Sequence, residues 1–170
     1  MRVRLDQAII DQIDQQLQEI DQELNHLSTT DPRADQVSLL LQLPGFGIIV
    51  IMTVLAAIGD LSRFPHPKKL VGYSGLGASI HDSGKKYRTR RITKRGRKEL
   101  RWILVEAARH AIDTHPYWKA QYQRLEPRLG SKKAAVAIAR KLLVTIWHNL
   151  TKREVDRHAI VDKVAFKYMM

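Results

Sequence analysis

The 170-residue sequence contains no cysteine. Disulfide frameworks, thiolate zinc sites and cysteine nucleophiles are thereby excluded. It has no uninterrupted apolar run of the ~18 residues that a membrane-spanning helix needs. Met1 is followed by an acidic, heptad-like stretch, not by a basic head, an apolar middle and a cleavage site, so no secretory signal is expected. Acidic residues are scarce. There are 17 Asp and Glu against 29 Lys and Arg, which gives a net charge of +12 and a pI near 10.2. That balance predicts an anionic partner, and nucleic acid is the commonest one for a soluble chain. The histidines (His26, His66, His81, His110, His115, His148 and His158) show no metal-ligand spacing with a carboxylate in attendance. No metal site is therefore expected in this chain.

Hydrophobic residues make up 44%, enough to build a core. The length suits one domain plus an appendage, since domains run to roughly 100–200 residues. Charge is unevenly placed. Met1 to Ser38 holds 3 Arg against 6 Asp and 2 Glu, a net of −5, while Leu39 to Met170 holds 26 basic and 9 acidic residues, a net of +17. Between Ser83 and Arg101 stand Lys85, Lys86, Arg88, Arg90, Arg91, Lys94, Arg95, Arg97, Lys98 and Arg101, against Glu99 alone. A solvated helix face mixes signs, because like charges one turn apart repel. A field of one sign opposes compaction unless an anion meets it. These ten residues are accordingly candidate nucleic-acid contacts.

The periodicity predicts a mainly α chain. Val3, Ile10, Leu17 and Leu24 recur every seven residues, with Asp6, Ile13, Ile20 and Leu27 as the companion series. That is a coiled-coil pattern over residues 1–30, and its narrow stripe needs a partner helix from this chain or another. Residues 31–38 read as a linker with a turn at Asp31-Pro32. A compact multi-helix domain is expected over 39–150, and a charged, then moderately apolar, tail over 151–170. Within the domain, a short helix to Leu43 is followed by a turn at Pro44-Gly45-Phe46-Gly47 and a helix from Ile48 to about Ile58. That helix is apolar nearly all round and so is expected to be central. Ile80 to Ile92 has no helical period and reads as an irregular basic loop or a short hairpin. Thr93 is a candidate N-cap for a helix to about Thr114 whose apolar face is Leu100, Ile103, Leu104, Ala107, Ala108 and Ala111. Ser131 is placed to cap a last long helix. Trp102, Trp118 and Trp147 read as core or edge packing.

The Leu-Pro-Gly-Phe-Gly turn resembles the hairpin of helix-hairpin-helix DNA-binding motifs. Gly45 and Gly47 there would let backbone amides approach a phosphate at a helix N-terminus. Such contacts hold the nucleic-acid backbone and carry no sequence information. The alternative is a tight turn buried between two helices.

A longer set of motifs is more specific. Gly59-Asp60-Leu61-Ser62-Arg63-Phe64, Lys69-Leu70, Tyr73-Ser74-Gly75-Leu76, Ser83-Gly84-Lys85-Lys86, Ile92-Thr93-Lys94-Arg95-Gly96 and Leu100-Arg101 stand in this order. From about Leu39 to Leu150 the chain resembles the C-terminal transposase domain of the insertion-sequence 110 (also called 116/902) family, which includes pilin-gene-type DNA invertases. Two positions depart from the pattern: Gly77-Ala78 stands where the family commonly has Ala-Pro, and Arg97 where it often has Asn.

The resemblance implies a recombinase guided by a structured bridge RNA. It also implies dimers or tetramers around RNA and DNA, and a cytoplasmic, nucleoid-associated location. Ser83 would be the nucleophile that attacks a DNA phosphodiester and forms a phosphoserine link. Full-length members add an N-terminal resolvase-like domain with an acidic, Mg-binding tetrad, joined by a coiled coil. No such tetrad precedes the heptads here, so the chain reads as a fragment and is expected to be inactive alone. Locally, a serine hydroxyl needs its proton removed and its phosphate held in line. Lys85, Lys86, Arg88 and Arg91 can neutralise that phosphate. The alternatives are a nucleic-acid-binding module without chemistry and a protein whose chief function is self-association through the heptads.

Overall fold

The fold is that of a computed structural model. The structure describes residues 2–30, 32–83 and 86–159, and of residues 2–5 and 79–91 the backbone alone. Seven α-helices and one two-stranded antiparallel sheet make up these residues, so the chain is mainly α as its periodicity requires.

The first helix, α1 (Arg2–Thr30), is the heptad segment. Gln7 and Gln15 donate one turn ahead to Asp11 and Glu19 at 3.0 and 3.1 Å, which supports an otherwise solvated helix. Ile9, Ile10, Ile13, Leu17 and Ile20 are each at least half exposed. Only the last turns meet the domain, where Ser28 is buried and Leu24 half-buried near α2 (Ala34–Leu41) and α3 (Ile48–Ile58). The helix ends where the hydroxyls of Ser28, Thr29 and Thr30 turn back to the Asn25 and His26 carbonyls. The second helix begins five residues before the expected Leu39, because Val37 is buried.

Gly59, at φ +63°, closes α3. A single 3-10 turn over Leu61–Arg63 follows, capped by Asp60, whose carboxylate accepts from the Ser62 N–H at 2.9 Å. Pro67 opens α4 (Pro67–Ser74), a position where its missing N–H costs nothing. Beyond the sheet come α5 (Lys98–Thr114), α6 (Pro116–Leu129) and α7 (Ser131–Lys152).

The core is mostly aliphatic, as a sequence poor in aromatics leads one to expect. Leu40, Leu43, Phe46, Ile51, Leu70, Leu100, Leu104, Ile138, Leu142 and Leu143 are fully buried. The hub is α7, not α3. It packs against α2, α4, α5 and α6, and the Trp147 indole N–H donates to the Phe64 carbonyl at 2.8 Å. The apolar face expected of α5 is buried residue for residue. Among the described residues no helix is long and apolar enough to cross a membrane.

Candidate nucleic-acid interface

The basic segment forms a hairpin of β1 (Ala78–Ser83) and β2 (Lys86–Ile92), not an irregular loop. Backbone pairing explains this: Ala78 stands opposite Ile92, Ile80 opposite Thr89, His81 opposite Arg88, Asp82 opposite Tyr87 and Ser83 opposite Lys86. The register slips by one residue between the first two pairs, which leaves the extra residue on β2 at Arg90–Arg91. A bulge of this kind bends a strand and increases its twist. Ser83 is the last residue of β1, at the closed end of the ladder. Gly84 and Lys85 lie outside the described residues. The ladder therefore gathers Ser83, Lys86, Arg88, Arg90 and Arg91 on two adjacent strands.

The open end of the hairpin is tied to α4 by a strap, residues 93–97. Thr93 is not the N-cap expected of α5. Its N–H donates to the Gly77 carbonyl at 2.9 Å, and its hydroxyl approaches the Gly75 carbonyl. The cap falls four residues later, at Arg97, because Gly96 adopts φ +146°, outside helical geometry. Lys94 has φ +54°, a conformation uncommon for a residue with a Cβ. Its N–H donates to the Gly75 carbonyl at 3.2 Å.

Two expected nucleic-acid side chains, besides the Lys94 backbone, take part in this joint. The Arg101 guanidinium donates to the Lys94 and Ser74 carbonyls at 3.3 and 3.4 Å. Arg97 donates from Nε to the Tyr73 phenol oxygen at 2.8 Å, a bond that holds its pKa above the ordinary value. Lys94, Arg95 and Lys98 are exposed. The sequence reading missed Tyr73, Gly75 and Gly96 as builders of the joint. Gly75 (φ +71°) caps α4, where an added Cβ would meet the Arg101 guanidinium at 2.8 Å. The glycines flanking the basic run were the available signal.

The two glycines of the Pro44 turn differ. Gly45 has φ +81°, and a Cβ there would lie 2.6 Å from the Ala107 carbonyl oxygen, so close packing against α5 demands glycine. Gly47 is exposed with open space around it, and it caps α3 with no side chain bonded to the helix end. First-turn amides have no acceptor within a helix.

Trp118 is buried, but Trp102 is 61% exposed, which corrects its reading as core or edge packing. It lies on the α5 face opposite Leu100, Leu104 and Ala107. Among the described residues no three His, Asp or Glu side chains gather to hold a metal. The acidic Mg site implied by the resemblance has no counterpart among the described residues.

Comparison with known proteins agrees with these motifs. The sequence profile of the Transposase IS116/IS110/IS902 family matches residues 37–123, which takes in part of α2, all of α3 to α5, the hairpin and part of α6. The transposase for insertion sequence element IS1111A of Coxiella burnetii is 29% identical over 151 residues, 85% of this chain and 40% of that protein. The pilin gene-inverting protein of Moraxella bovis is 36% identical over 124 residues, 71% of this chain and 36% of that protein. The chain thus spans about two fifths of the length of these curated relatives. A profile that takes in half of the chain, with the hairpin inside it, shows that the chain belongs to the Transposase IS116/IS110/IS902 family.

Proposed function

We propose that this chain is the strand-cleaving part of a DNA transposase or recombinase, with Ser83 as nucleophile. The observation that carries the reading is the position of Ser83 at the closed end of a cationic hairpin, paired with Lys86. In the step envisaged, the Ser83 oxygen bonds to a DNA phosphorus. The bond from that phosphorus to one deoxyribose oxygen breaks, and the freed oxygen leaves as a hydroxyl after taking up a proton. The Ser83 proton passes to a base. The phosphodiester count is conserved, so the broken strand can be rejoined to another. Cations of β2 offset the charge that develops on the phosphate. DNA is the substrate and a structured RNA the guide. The exposed seam of α1 (Ile10, Ile13, Leu17 and Ile20) joins copies into an oligomer. Ser83→Ala in a transposase of the relatives' full length tests this reading: covalent DNA attachment is lost while DNA binding is retained. Normal recombination by that variant rejects it.

A second reading, a nucleic-acid-binding module without chemistry, is favoured by the open N-terminus of α3 at Gly47. Under that reading a bulky residue at Gly47 weakens binding, and Ser83→Ala changes nothing.

A further inference from the structure

A second concentration of positive charge lies outside the hairpin. Between Lys119 and Lys141 stand Lys119, Arg124, Arg128, Lys132, Lys133, Arg140 and Lys141, against Glu126 alone. All seven cations are exposed. None forms an ion pair among the described residues. Glu126 accepts from the Tyr122 hydroxyl at 2.7 Å and offsets one of the seven charges. The α6 and α7 helices pack side by side, and the Lys141 ammonium donates to Gln121 across the seam. Partial burial first, then the neighbouring Arg124 and Arg140 guanidinium groups, push the Lys141 pKa down. Arg124 and Arg128 are one turn apart on α6, and Lys133, Arg140 and Lys141 share a face of α7 by the helical repeat. Like charges are thus held together in clear excess over the one carboxylate, Glu126, in this stretch.

The apolar content of the surface narrows the partner. No large hydrophobic side chain is exposed on α6 or α7. A helix lying on a membrane needs an apolar face, and a protein interface needs buried anchors. A regular polyanion needs neither. One helical turn separates Arg124 from Arg128 by about 6 Å, and at about 3.4 Å of duplex axis per phosphate of one strand the pair can meet phosphates two steps apart.

We propose that the α6–α7 seam is a second nucleic-acid contact surface, gripping the phosphodiester backbone through Arg124, Arg128, Arg140 and Lys141 independently of the hairpin. It rests on the reading that the chain binds nucleic acid and adds a surface that nothing in residues 78–101 supplies.

The test compares this chain with two charge-removing variants and one charge-retaining variant. One carries Arg124→Gln, Arg128→Gln, Arg140→Gln and Lys141→Gln; the other carries Lys86→Gln, Arg88→Gln and Arg90→Gln. Binding to a DNA duplex and to an RNA duplex of equal length is followed between about 50 and 200 mM salt. For at least one duplex, the seam variant is expected to make the slope of log K against log salt shallower by about 3 to 4, at close to one per phosphate contact. A loss confined to one duplex assigns the surface to that nucleic acid. The charge-retaining chain with Arg124→Lys, Arg128→Lys and Arg140→Lys is expected to keep the slope; an equal loss there would mean damage to the fold and overturn the proposal. An unchanged slope in the seam variant, with a reduced one in the hairpin variant, overturns the seam alone. Dissociation of an oligomer in place of a slope change identifies an acidic partner chain and also overturns it. Failure of the unaltered chain to bind either duplex rejects this surface and the proposed function together.

Discussion

Arg97 holds Tyr73 twice. Its guanidinium donates to the phenol oxygen at 2.8 Å, and its backbone N–H donates to the Tyr73 carbonyl at 3.0 Å. The same phenol donates to the Ala57 carbonyl at 3.1 Å at the end of α3. One tyrosine thus links the helix after the Pro44 turn, the helix before the hairpin and the strap after it.

This joint is expected to set how firmly the hairpin is held. Gly96 packs against the Tyr73 carbonyl so closely that a Cβ would run into it, at a φ that favours glycine. Gly96→Ala should therefore cost about 1–3 kcal/mol of stability. Amide exchange in the hairpin should accelerate while α7 amides keep their protection. Equal acceleration throughout would show that the joint merely supports the fold.

The stripe on α1 gives a contrasting expectation. Replacing Ile10, Ile13, Leu17 and Ile20 by Gln removes side chains that are about half exposed, so thermal unfolding of the domain should hardly move. The oligomer proposed to form through this stripe should be lost in sedimentation. A lowered Tm with unchanged mass would show that the stripe packs within one chain.

Acid should release one local contact with a definite sign. Asp60 has a pKa below its ordinary 3.8, first because the Ser62 hydroxyl donates to it and next because the Ser62 N–H does. A depressed carboxyl pKa contributes stability above the unfolded value and loses it as pH falls through the folded one. The Tm difference between the native chain and Asp60→Ala should therefore be present at about pH 5 and shrink as pH falls below the ordinary 3.8. A difference that grows with acid would contradict this cap.

Much of the architecture was legible because apolar spacing alone decides it. Leu100, Ile103, Leu104, Ala107, Ala108 and Ala111 read as one helix face and are buried as one face. The start of α5 was not legible, since Thr93 has the chemistry of a cap and only the backbone turn at Gly96 denies it that role. Trp102 was misread because residue type was weighed above position; the helical repeat sets it opposite Leu100 and Leu104. At the candidate site, Ser83 and the basic run were visible as residues. Their pairing across a ladder was not, because strand register depends on contacts between segments that a local period does not report.

The most direct test is chemical identification of the linkage. A transposase of the relatives' full length carrying this segment is allowed to react with the end DNA of its element, digested, and its peptides analysed by mass spectrometry. The account predicts a nucleotide joined through phosphate to the Ser83 oxygen, and no adduct from Ser83→Ala. An adduct on another residue, or one that persists in Ser83→Ala, would contradict it.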